Sequence, residues 1–396
     1  MAGPLAGVTV VELAGIGPGP FAGMMLADMG ARVLRVDRIP QPGGGPLAAM
    51  LRNDAIVDRG RESIAINTKD PRGLEVALDL AARADVLIEG FRPGVAEKLG
   101  LGPDAVMARN PRLVYGRMTG WGQSGPLAQA AGHDLNYIAI SGALHAMGPA
   151  DRPPAPPLNL VGDYGGGGML LALGVVAALF ESRTSGRGQV VDAAMSDGAA
   201  LLMAAQYGLM AKGAWDGQQR ETNFLDGSAP FYASYECADG RHIALGPIEP
   251  QFYAELLRLI GLDDDGAMRA GQWSQADWPA QKARLAAHLR TRTRDDWCAL
   301  LEGTDACFAP VLSMREAPAH PHNVARGTFV QRAGATEPAP APRFDRTPAE
   351  LPPRAPAIGG HTAGLLGELG HAPADIDALV AAGVVFQAPG SGGAAC

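Results

Sequence analysis

Apolar strands alternate with helices along the first third of the sequence, and this alternation limits the fold more than any other feature. Val8–Leu13 is typical of a buried strand, and Phe21–Met29, with Pro20 near its first turn, predicts a helix. The same pattern continues with strands at Ala31–Val36, Asp85–Glu89 and Leu113–Met118 and a helix at Gly73–Arg83. Because parallel strands are connected by helical crossovers, we predict a parallel sheet with helices on its faces.

The pattern changes at about Asn223. Two predicted strands, Phe231–Glu236 and His242–Leu245, form a hairpin around Ala238–Gly240. Helices are predicted next, at Gln251–Ile260, Trp278–Arg290 and Thr293–Leu301. This order indicates a second, smaller α+β unit.

A segment rich in proline and alanine follows, at Gly334–Pro356, and predicts an extended connector. Beyond it we predict two helices, Thr362–Leu369 and Asp375–Ala382. The Gly/Ala-rich tail that ends at Cys396 is expected to be disordered.

Composition and charge favour a soluble globular enzyme. Hydrophobic residues make up 47% of the chain and charged residues 19%. The longest apolar run, Met169–Phe180, is shorter than the roughly twenty residues of a membrane span, so we expect no membrane association. The net charge of −8 argues against a nucleic-acid partner. The N-terminus has no basic region before its first strand, so we expect no signal peptide and a cytoplasmic location.

Cysteine and histidine spacing gives no sign of a metal site. The four cysteines (Cys237, Cys298, Cys307 and Cys396) contain no CxxC pair, and we expect reduced thiols. The eight histidines form no HExxH pattern. We therefore expect no metal cofactor.

The turn Gly15–Pro20 resembles part of a dinucleotide-binding fingerprint, with Asp37 about twenty residues further along. Pro20 replaces the third glycine of that fingerprint, and Arg38 directly follows the acidic residue. Proline suits a first helical turn but removes an amide that would face a phosphate. We therefore expect no NAD and interpret the turn as a structural strand-to-helix connection.

Basic residues gather in the first hundred positions of this acidic chain. Each of them is by itself compatible with ordinary surface charge, but the cluster suggests a site for a small polyanion. Its members are Arg38, Arg52, Arg59, Arg61, Lys69, Arg92 and Lys98.

Two short blocks carry the candidate chemistry: AGHDLNY holds His133, and LVGDYGGGG holds Asp163. A histidine and a carboxylate on opposite sides of one substrate carbon could remove a proton from one face and return it to the other. Asp163 could instead be the N-cap of the apolar helix that follows, where the helix N-terminus would keep its carboxylate ionised. The glycines Gly165–Gly168 would let a substrate approach the backbone.

Several segments in order resemble the family III CoA-transferase superfamily (CaiB/BaiF-like proteins), and within it the 2-methylacyl-CoA racemases. Besides the two blocks above, the resemblance is carried by VVELAGIGPGP, EGFRPGV, TGWGQSGP, GQVVDAAM, IEPQF and PAPRFDRTP. These segments span nearly the whole chain, and their joint presence in order is specific to this family.

The resemblance implies an α/β fold with a Rossmann-like large domain formed by both chain ends and an inserted smaller α+β domain. It also implies an interlocked homodimer. Combined with the patterns above, it divides the chain into a large CoA-binding domain, linker helices, a small domain and a Pro-rich return to the large domain. We place these parts at residues 1–190, 191–225, 226–325 and 326–396.

The resemblance also implies roles for individual residues. His133 is the base for one face of the substrate and Asp163 the base for the other. Glu249 is a glutamate that hydrogen-bonds the histidine and fixes its tautomer. A backbone N–H in the turn His133–Asp134 is the expected donor to the enolate oxygen.

The substrate implied is an acyl-CoA, with no cofactor beyond its CoA moiety. CoA carries a 3′-phosphate and a pyrophosphate, which arginine and lysine bind well. The positions implied to contact it are Arg38, Ile66, Asn67, Thr68, Lys69, Gly90, Phe91, Arg92, Lys98 and Tyr137. Met195, Met203 and Met210 could form a soft acyl-binding surface or could equally be core residues.

Two other functions stay open. In a CoA transferase, the residue matching Asp163 attacks the thioester and forms an acyl anhydride. His133 and Glu249 favour racemisation, since a transferase needs no second base. The other alternative is a binding protein for CoA or a dinucleotide without activity, and the joint presence of His133, Asp163 and Glu249 argues against it.

Overall fold

A computed structural model describes residues 3–40 and 56–389. The chain forms two compact units. The first contains the described parts of Met1–Ser141, Leu158–Leu202 and Glu337–Cys396, and the second contains Gly142–Pro157 and Met203–Thr336. The segment Gly142–Pro157 lies in the second unit, whereas the predicted boundaries placed it in the large domain. Arg52 and the C-terminal tail with Cys396 lie outside the described residues.

The first unit is built on a seven-stranded sheet with the order β12-β3-β2-β1-β4-β5-β6. Its strands are β1 Thr9–Leu13, β2 Arg32–Asp37, β3 Arg61–Ile66, β4 Val86–Glu89, β5 Val114–Thr119, β6 Val190–Ala194 and β12 Val385–Phe386. All neighbouring strands are parallel except β12, which pairs antiparallel with β3. The predicted α/β fold with a Rossmann-like sheet that uses both ends of the chain is confirmed.

Helices cover this sheet. They are α1 Pro18–Asp28, α2 Pro71–Ala82, α3 Val95–Lys98, α4 Pro103–Arg109, α5 Asp134–Ile140, α6 Leu170–Ser185, α7 Met195–Leu202, α14 Thr362–Leu369 and α15 Pro373–Ala381. A stretch with π-helical hydrogen bonding, Leu160–Met169, runs directly into α6. The apolar side chains of the sheet are buried against these helices in two clusters. The helices predicted in this part of the chain are present, with ends shifted by a few residues.

The second unit contains a three-stranded antiparallel sheet, β7 Ala233–Glu236, β8 His242–Leu245 and β9 Phe308–Pro310. Its helices are α8 Ala204–Ala211, α9 Pro250–Ile260, α10 Gly266–Ala270, α11 Trp278–Leu289, α12 Arg294–Leu301 and α13 Pro321–Arg326. Buried aromatic residues such as Phe231, Trp278 and Trp297 form its core. The predicted hairpin and its α+β setting are confirmed, and β9 is an additional strand.

The sequence pattern did not predict two strands of the seven-stranded sheet, one because it begins with charged residues and the other because it is very short. Strand β3 begins with Arg61 and Glu62, which do not form an apolar run, and β12 has two residues. The predicted connector also contains structure, because β10 Phe329–Arg332 and β11 Ala335–Pro338 pair with each other. The connector prediction is therefore wrong for its first residues.

Candidate active site

The first unit contains a cavity of ≈ 560 Å³ at the carboxyl ends of its parallel strands. Strand β1 has β2 on one side and β4 on the other, so the chain reverses its direction of winding at this point. Open α/β sheets bind ligands in the crevice that forms there. The residues that follow β1, β4 and β5, including Gly17, Phe91 and Trp121, line the cavity.

His133 lines this cavity and directly precedes helix α5. Its backbone is extended, and its N–H donates to Asn136 Oδ1 at 3.0 Å. The hydroxyl of Tyr137 donates to the carbonyl of Gly132, which fixes the turn before the histidine. The Tyr137 ring meets Trp121 edge to face, with 4.7 Å between ring centroids. The imidazole is therefore presented from a turn whose backbone is held on both sides.

Asp163 lines the same cavity from the π-helical stretch Leu160–Met169. It is not an N-cap, as the alternative interpretation had it, because the helical hydrogen bonding already begins before it. The Asn159 side-chain amide donates to Asp163 Oδ2 at 3.1 Å. Gly17 has a positive φ of 72°, and a Cβ built there would lie 3.6 Å from Oδ2. The carboxylate therefore faces the turn after β1.

The environment of Asp163 raises the pKa of its carboxyl above the ordinary aspartate value. Burial is the largest cause, and the nearby carboxylate of Asp134 adds to it. The hydrogen bond from Asn159 and the proximity of His133 act in the opposite direction. The pKa of Asp163 is therefore shifted in the direction opposite to the one expected from a helix N-terminus. A raised pKa makes the ionised carboxylate a stronger base.

Asp134 connects the two blocks. Its Oδ2 accepts hydrogen bonds from the amides of Gly162, at 2.6 Å, and Asp163, at 2.7 Å. Its own amide is at the first position of helix α5, where no intrahelical acceptor is available. The His133 amide already donates to Asn136. Within the turn His133–Asp134, the Asp134 amide is therefore the donor that suits an enolate oxygen.

Gly166–Gly168 beside Asp163 serve helix packing, which corrects for these three residues the expectation that the glycine run admits substrate to the backbone. A Cβ on Gly166 would lie 2.6 Å from the amide nitrogen of Ala199, and one on Gly168 would lie 2.7 Å from the Phe21 ring. Gly166–Gly168 are buried against α1 and α7. Only small residues allow this close approach.

The predicted CoA-contacting residues follow neighbouring strands at one edge of the sheet. Gly90, Phe91, Arg92 and Tyr137 line the cavity. Arg38 follows β2, the segment 67–69 follows β3, and Lys98 ends the short helix α3. Ile66 differs from the others, because its side chain is buried in the core beneath α2.

Two members of the basic cluster are occupied inside the protein. Arg59 forms a 2.5 Å ion pair with Asp28, and Arg61 forms a 2.9 Å ion pair with Glu12. All four side chains are almost completely buried. These two arginines are therefore not available to a polyanion, whereas Arg38, Lys69, Arg92 and Lys98 are exposed.

Glu249 and two of the three methionines belong to the second unit. Glu249 is exposed and directly precedes helix α9. Met203 and Met210 line a separate cavity of ≈ 140 Å³ in that unit. Met195 is a core residue of the first unit that also lines the larger cavity. Met195 is therefore a core residue, and the acyl-binding role of Met203 and Met210 stays a prediction.

Several cavity residues were not singled out in the sequence. The Asn159 side chain donates to the Asp163 carboxylate. Its position one helical turn before Asp163 is the sequence feature that could have predicted this contact. Glu89 accepts from the amide of Phe91 at 2.6 Å and from Arg117 Nε at 2.9 Å, which fixes the turn after β4. The turn Gly15–Pro20 is the predicted strand-to-helix connection, but it also lines the cavity.

Within residues 3–40 and 56–389, no group of three or more His, Cys, Asp or Glu side chains is placed to hold a metal ion. Cys237, Cys298 and Cys307 are free thiols. The continuous helical stretch Leu160–Ser185 is long and apolar enough to cross a membrane, but half of its most apolar window is buried inside the protein. Core helices of soluble proteins have the same composition, so the expectation of no membrane association stays a prediction.

The sequence model for CoA-transferase family III matches residues 5–362. The chain belongs to this family. Among curated members, α-methylacyl-CoA racemase of Mus musculus is 46% identical over 374 residues, which are 94% of this chain and 95% of that protein. α-Methylacyl-CoA racemase of Homo sapiens is 44% identical over 375 residues, with the same coverage of both chains.

Solved structures of family members have the same fold. The crystal structure of a CaiB/BaiF family protein from Brucella suis superposes with a TM-score of 0.79 at 28% sequence identity. The match covers 93% of this CoA-transferase family III chain and 100% of the other. The predicted family and fold are thereby confirmed.

Proposed function

We propose that this protein is a racemase that interconverts (R)- and (S)-2-methylacyl-CoA thioesters by two-base proton transfer. The observation that carries the proposal is that His133 and Asp163 line one cavity of the first unit. The names of the mouse and human relatives support the same activity. A transferase needs the carboxylate but gives no role to the histidine.

One base takes the α-proton, and the electron pair of the broken C–H bond moves to the thioester carbonyl oxygen to form an enolate. The protonated base on the opposite face then gives its proton to the α-carbon, which inverts the configuration. An α-proton is far less acidic than His or Asp, so the enolate oxygen needs fixed donors. The Asp134 amide at the start of α5 supplies one, and a helix N-terminus favours negative charge.

The CoA moiety is proposed to lie along the carboxyl edge of the sheet. Arg38, Lys69, Arg92 and Lys98 would supply positive charge for its phosphates. Asn67, Thr68 and Gly90 lie in the turns beside them, and Phe91 and Tyr137 line the cavity where the thioester would enter. No metal and no NAD take part in this proposal.

The deciding experiment uses one enantiomer of a 2-methylacyl-CoA in deuterated water. A racemase incorporates α-deuterium while optical purity is lost. The CoA transferase alternative, with Asp163 forming an aspartyl anhydride, predicts instead that free acid is released and that an added carboxylate becomes a new thioester. Transfer without α-exchange would overturn the racemase proposal.

We further propose an interlocked homodimer located in the cytoplasm, in which Glu249 of the partner subunit orients His133. Large apolar side chains of the first unit are exposed, among them Leu173 at 66%, Phe180 at 78% and Leu201 at 63%. Large apolar side chains exposed in this way would be buried if they lay in a dimer interface. Sedimentation velocity tests the dimer, and cell fractionation tests the location.

A further inference from the structure

The carboxylate of Asp134 bridges the two segments that carry the candidate bases. The residue is 5% exposed and lies between helix α5 and the stretch Leu160–Met169. Its Oδ2 accepts from two consecutive amides, those of Gly162 and Asp163. Asp134 is the neighbour of one base along the chain and is hydrogen-bonded to the backbone of the other.

This connection is short. From His133 it passes through one peptide bond to Asp134 and through one 2.7 Å hydrogen bond to the amide of Asp163. The remaining supports hold each base in its own segment: Tyr137 fixes the turn before His133, and Asn159 fixes the Asp163 carboxylate. Among these contacts, the Asp134 side chain is the one that joins the two segments to each other.

The bridging carboxylate is poorly suited to a purely stabilising role. Its Oδ1 is buried and accepts no hydrogen bond from the described residues. It also places a negative charge close to the carboxylate of Asp163. A buried, half-satisfied charge beside a like charge is unfavourable, and such local conflicts are typical of functional sites.

We propose that the Asp134 side chain is a positioning residue that holds His133 and Asp163 at the separation required for proton transfer across one substrate carbon. The inference rests on the racemase function proposed above. It assigns to the side chain a task separate from that of the Asp134 amide, which would bind the enolate oxygen.

Gly162 offers a second way to disturb the same contact. A Cβ added there would lie 2.6 Å from Asp134 Oδ2 and 2.8 Å from its Cγ. The substitution Gly162→Ala therefore pushes the carboxylate away without removing it. It tests the position of the side chain with its charge left intact.

The experiment measures α-deuterium incorporation from each enantiomer separately, in the full-length protein, for Asp134→Ala, Asp134→Asn and Gly162→Ala. A matched control is Asp265→Ala, because Asp265 Oδ1 also accepts from two consecutive helix amides, Ala267 at 3.1 Å and Met268 at 3.2 Å, in the second unit. CoA affinity and thermal unfolding are recorded for every variant.

We expect Asp134→Ala to lower exchange from both enantiomers by on the order of 100-fold, since small displacements of reacting groups cost this much. Gly162→Ala should lower both as well, with CoA affinity preserved. Asp134→Asn keeps an accepting oxygen and should recover part of the rate, and Asp265→Ala should exchange like the parent protein.

Three results would overturn the proposal. The first is that Asp134→Ala exchanges deuterium as fast as Asp265→Ala, and the second is that Asp134→Ala loses exchange from one enantiomer only. The third is that Asp134→Asn is as impaired as Asp134→Ala. If Asp134→Ala does not fold, Asp134→Asn and Gly162→Ala carry the same comparison. A parent protein that shows no exchange from either enantiomer would refute the racemase function itself, which is a distinguishable outcome.

Discussion

Single residues of the cavity show how two bases of different chemistry are placed in one site. His133 is exposed and held by its backbone, whereas Asp163 is partly buried and held through both its backbone and its carboxylate. Burial makes Asp163 a stronger base than an aspartate in water. This brings the basicity of the carboxylate closer to that of an imidazole, and the proposed reaction needs both groups to exchange protons with the same carbon.

Replacing each base should give opposite exchange patterns. His133→Ala and Asp163→Ala are each expected to lower racemisation by about 10²–10⁴-fold, the usual contribution of a positioned acid or base. Each variant keeps the other base, so it should still exchange the α-proton of one enantiomer. NMR of the washed-in deuterium measures this, and full racemisation by both variants would contradict the site.

The raised pKa of Asp163 also has a consequence for stability. A carboxyl whose pKa is higher in the folded than in the unfolded protein stabilises the fold at acid pH, and this contribution is lost as the pH rises through the folded value. Asp163→Asn should therefore raise Tm near neutral pH, and the gain should shrink as the pH falls toward about 4, the ordinary aspartate value.

Asp265 provides a control of opposite sign for this measurement. The hydrogen bond from Arg284 lowers the pKa of Asp265, followed in effect by the helix amide of Met268. Asp265→Asn should lower Tm near neutral pH, and this loss should diminish on acidification. If Tm changes in the same direction in both variants, burial does not govern the pKa of Asp163.

Among the secondary-structure elements, strand β3 is joined to the centre of the sheet by buried charge. Arg61 of β3 pairs with Glu12 of β1, and its guanidinium also donates to the carbonyls of Val57, Arg59 and Pro20. Because Pro20 lies in the turn that lines the cavity, the Arg61 side chain links the interior of the sheet to the site.

Removing one partner of this pair should be strongly destabilising. Arg61→Met leaves Glu12 buried without its cation, and we expect a loss of about 3–5 kcal/mol in the free energy of unfolding. Adding Glu12→Gln should restore a large part of it. Arg109 provides the comparison, because Arg109→Met removes only solvent-exposed ion pairs, with Glu75 and Asp79, and should cost much less. Urea unfolding measures the loss in unfolding free energy for Arg61→Met and Arg109→Met, and equal losses would contradict the prediction.

The limits of sequence-based prediction follow from the same physics. The sequence pattern predicts strands β1, β2, β4 and β5, whereas the apolar part of β3 is only the three residues Ile64–Ile66. Strand β3 was missed because Arg61 is buried by a partner that is distant in sequence, which periodicity cannot detect. At the site, the identities of His133 and Asp163 were predicted by resemblance to a family. The bridging role of Asp134 and the direction of the Asp163 pKa shift depend on distances and burial, which a sequence does not contain.

At the scale of the whole molecule, the proposed homodimer can be tested by complementation. If each site combines His133 of one chain with Glu249 of the other, co-expressed His133→Ala and Glu249→Ala chains should regain about one quarter of parental activity per dimer, counting random pairing and one intact site in each mixed dimer. Each variant expressed alone is the control. A folded, active monomer at nanomolar concentration would contradict the interlocked assembly, because dilution would not separate linked chains before unfolding.

The antiparallel strand that completes the sheet has a consequence for biosynthesis. Ala65 and Ile66 pair with Phe386 and Val385, and the amide of Ala65 donates to Thr362 Oγ1 across 297 residues of sequence. During translation, this edge of the sheet therefore stays open until Val385 and Phe386 have left the ribosome. An open edge can pair with other nascent chains, so chaperone protection matters most in that interval. In the interlocked homodimer proposed above, the same delay would leave each chain unclosed while a second one threads through it.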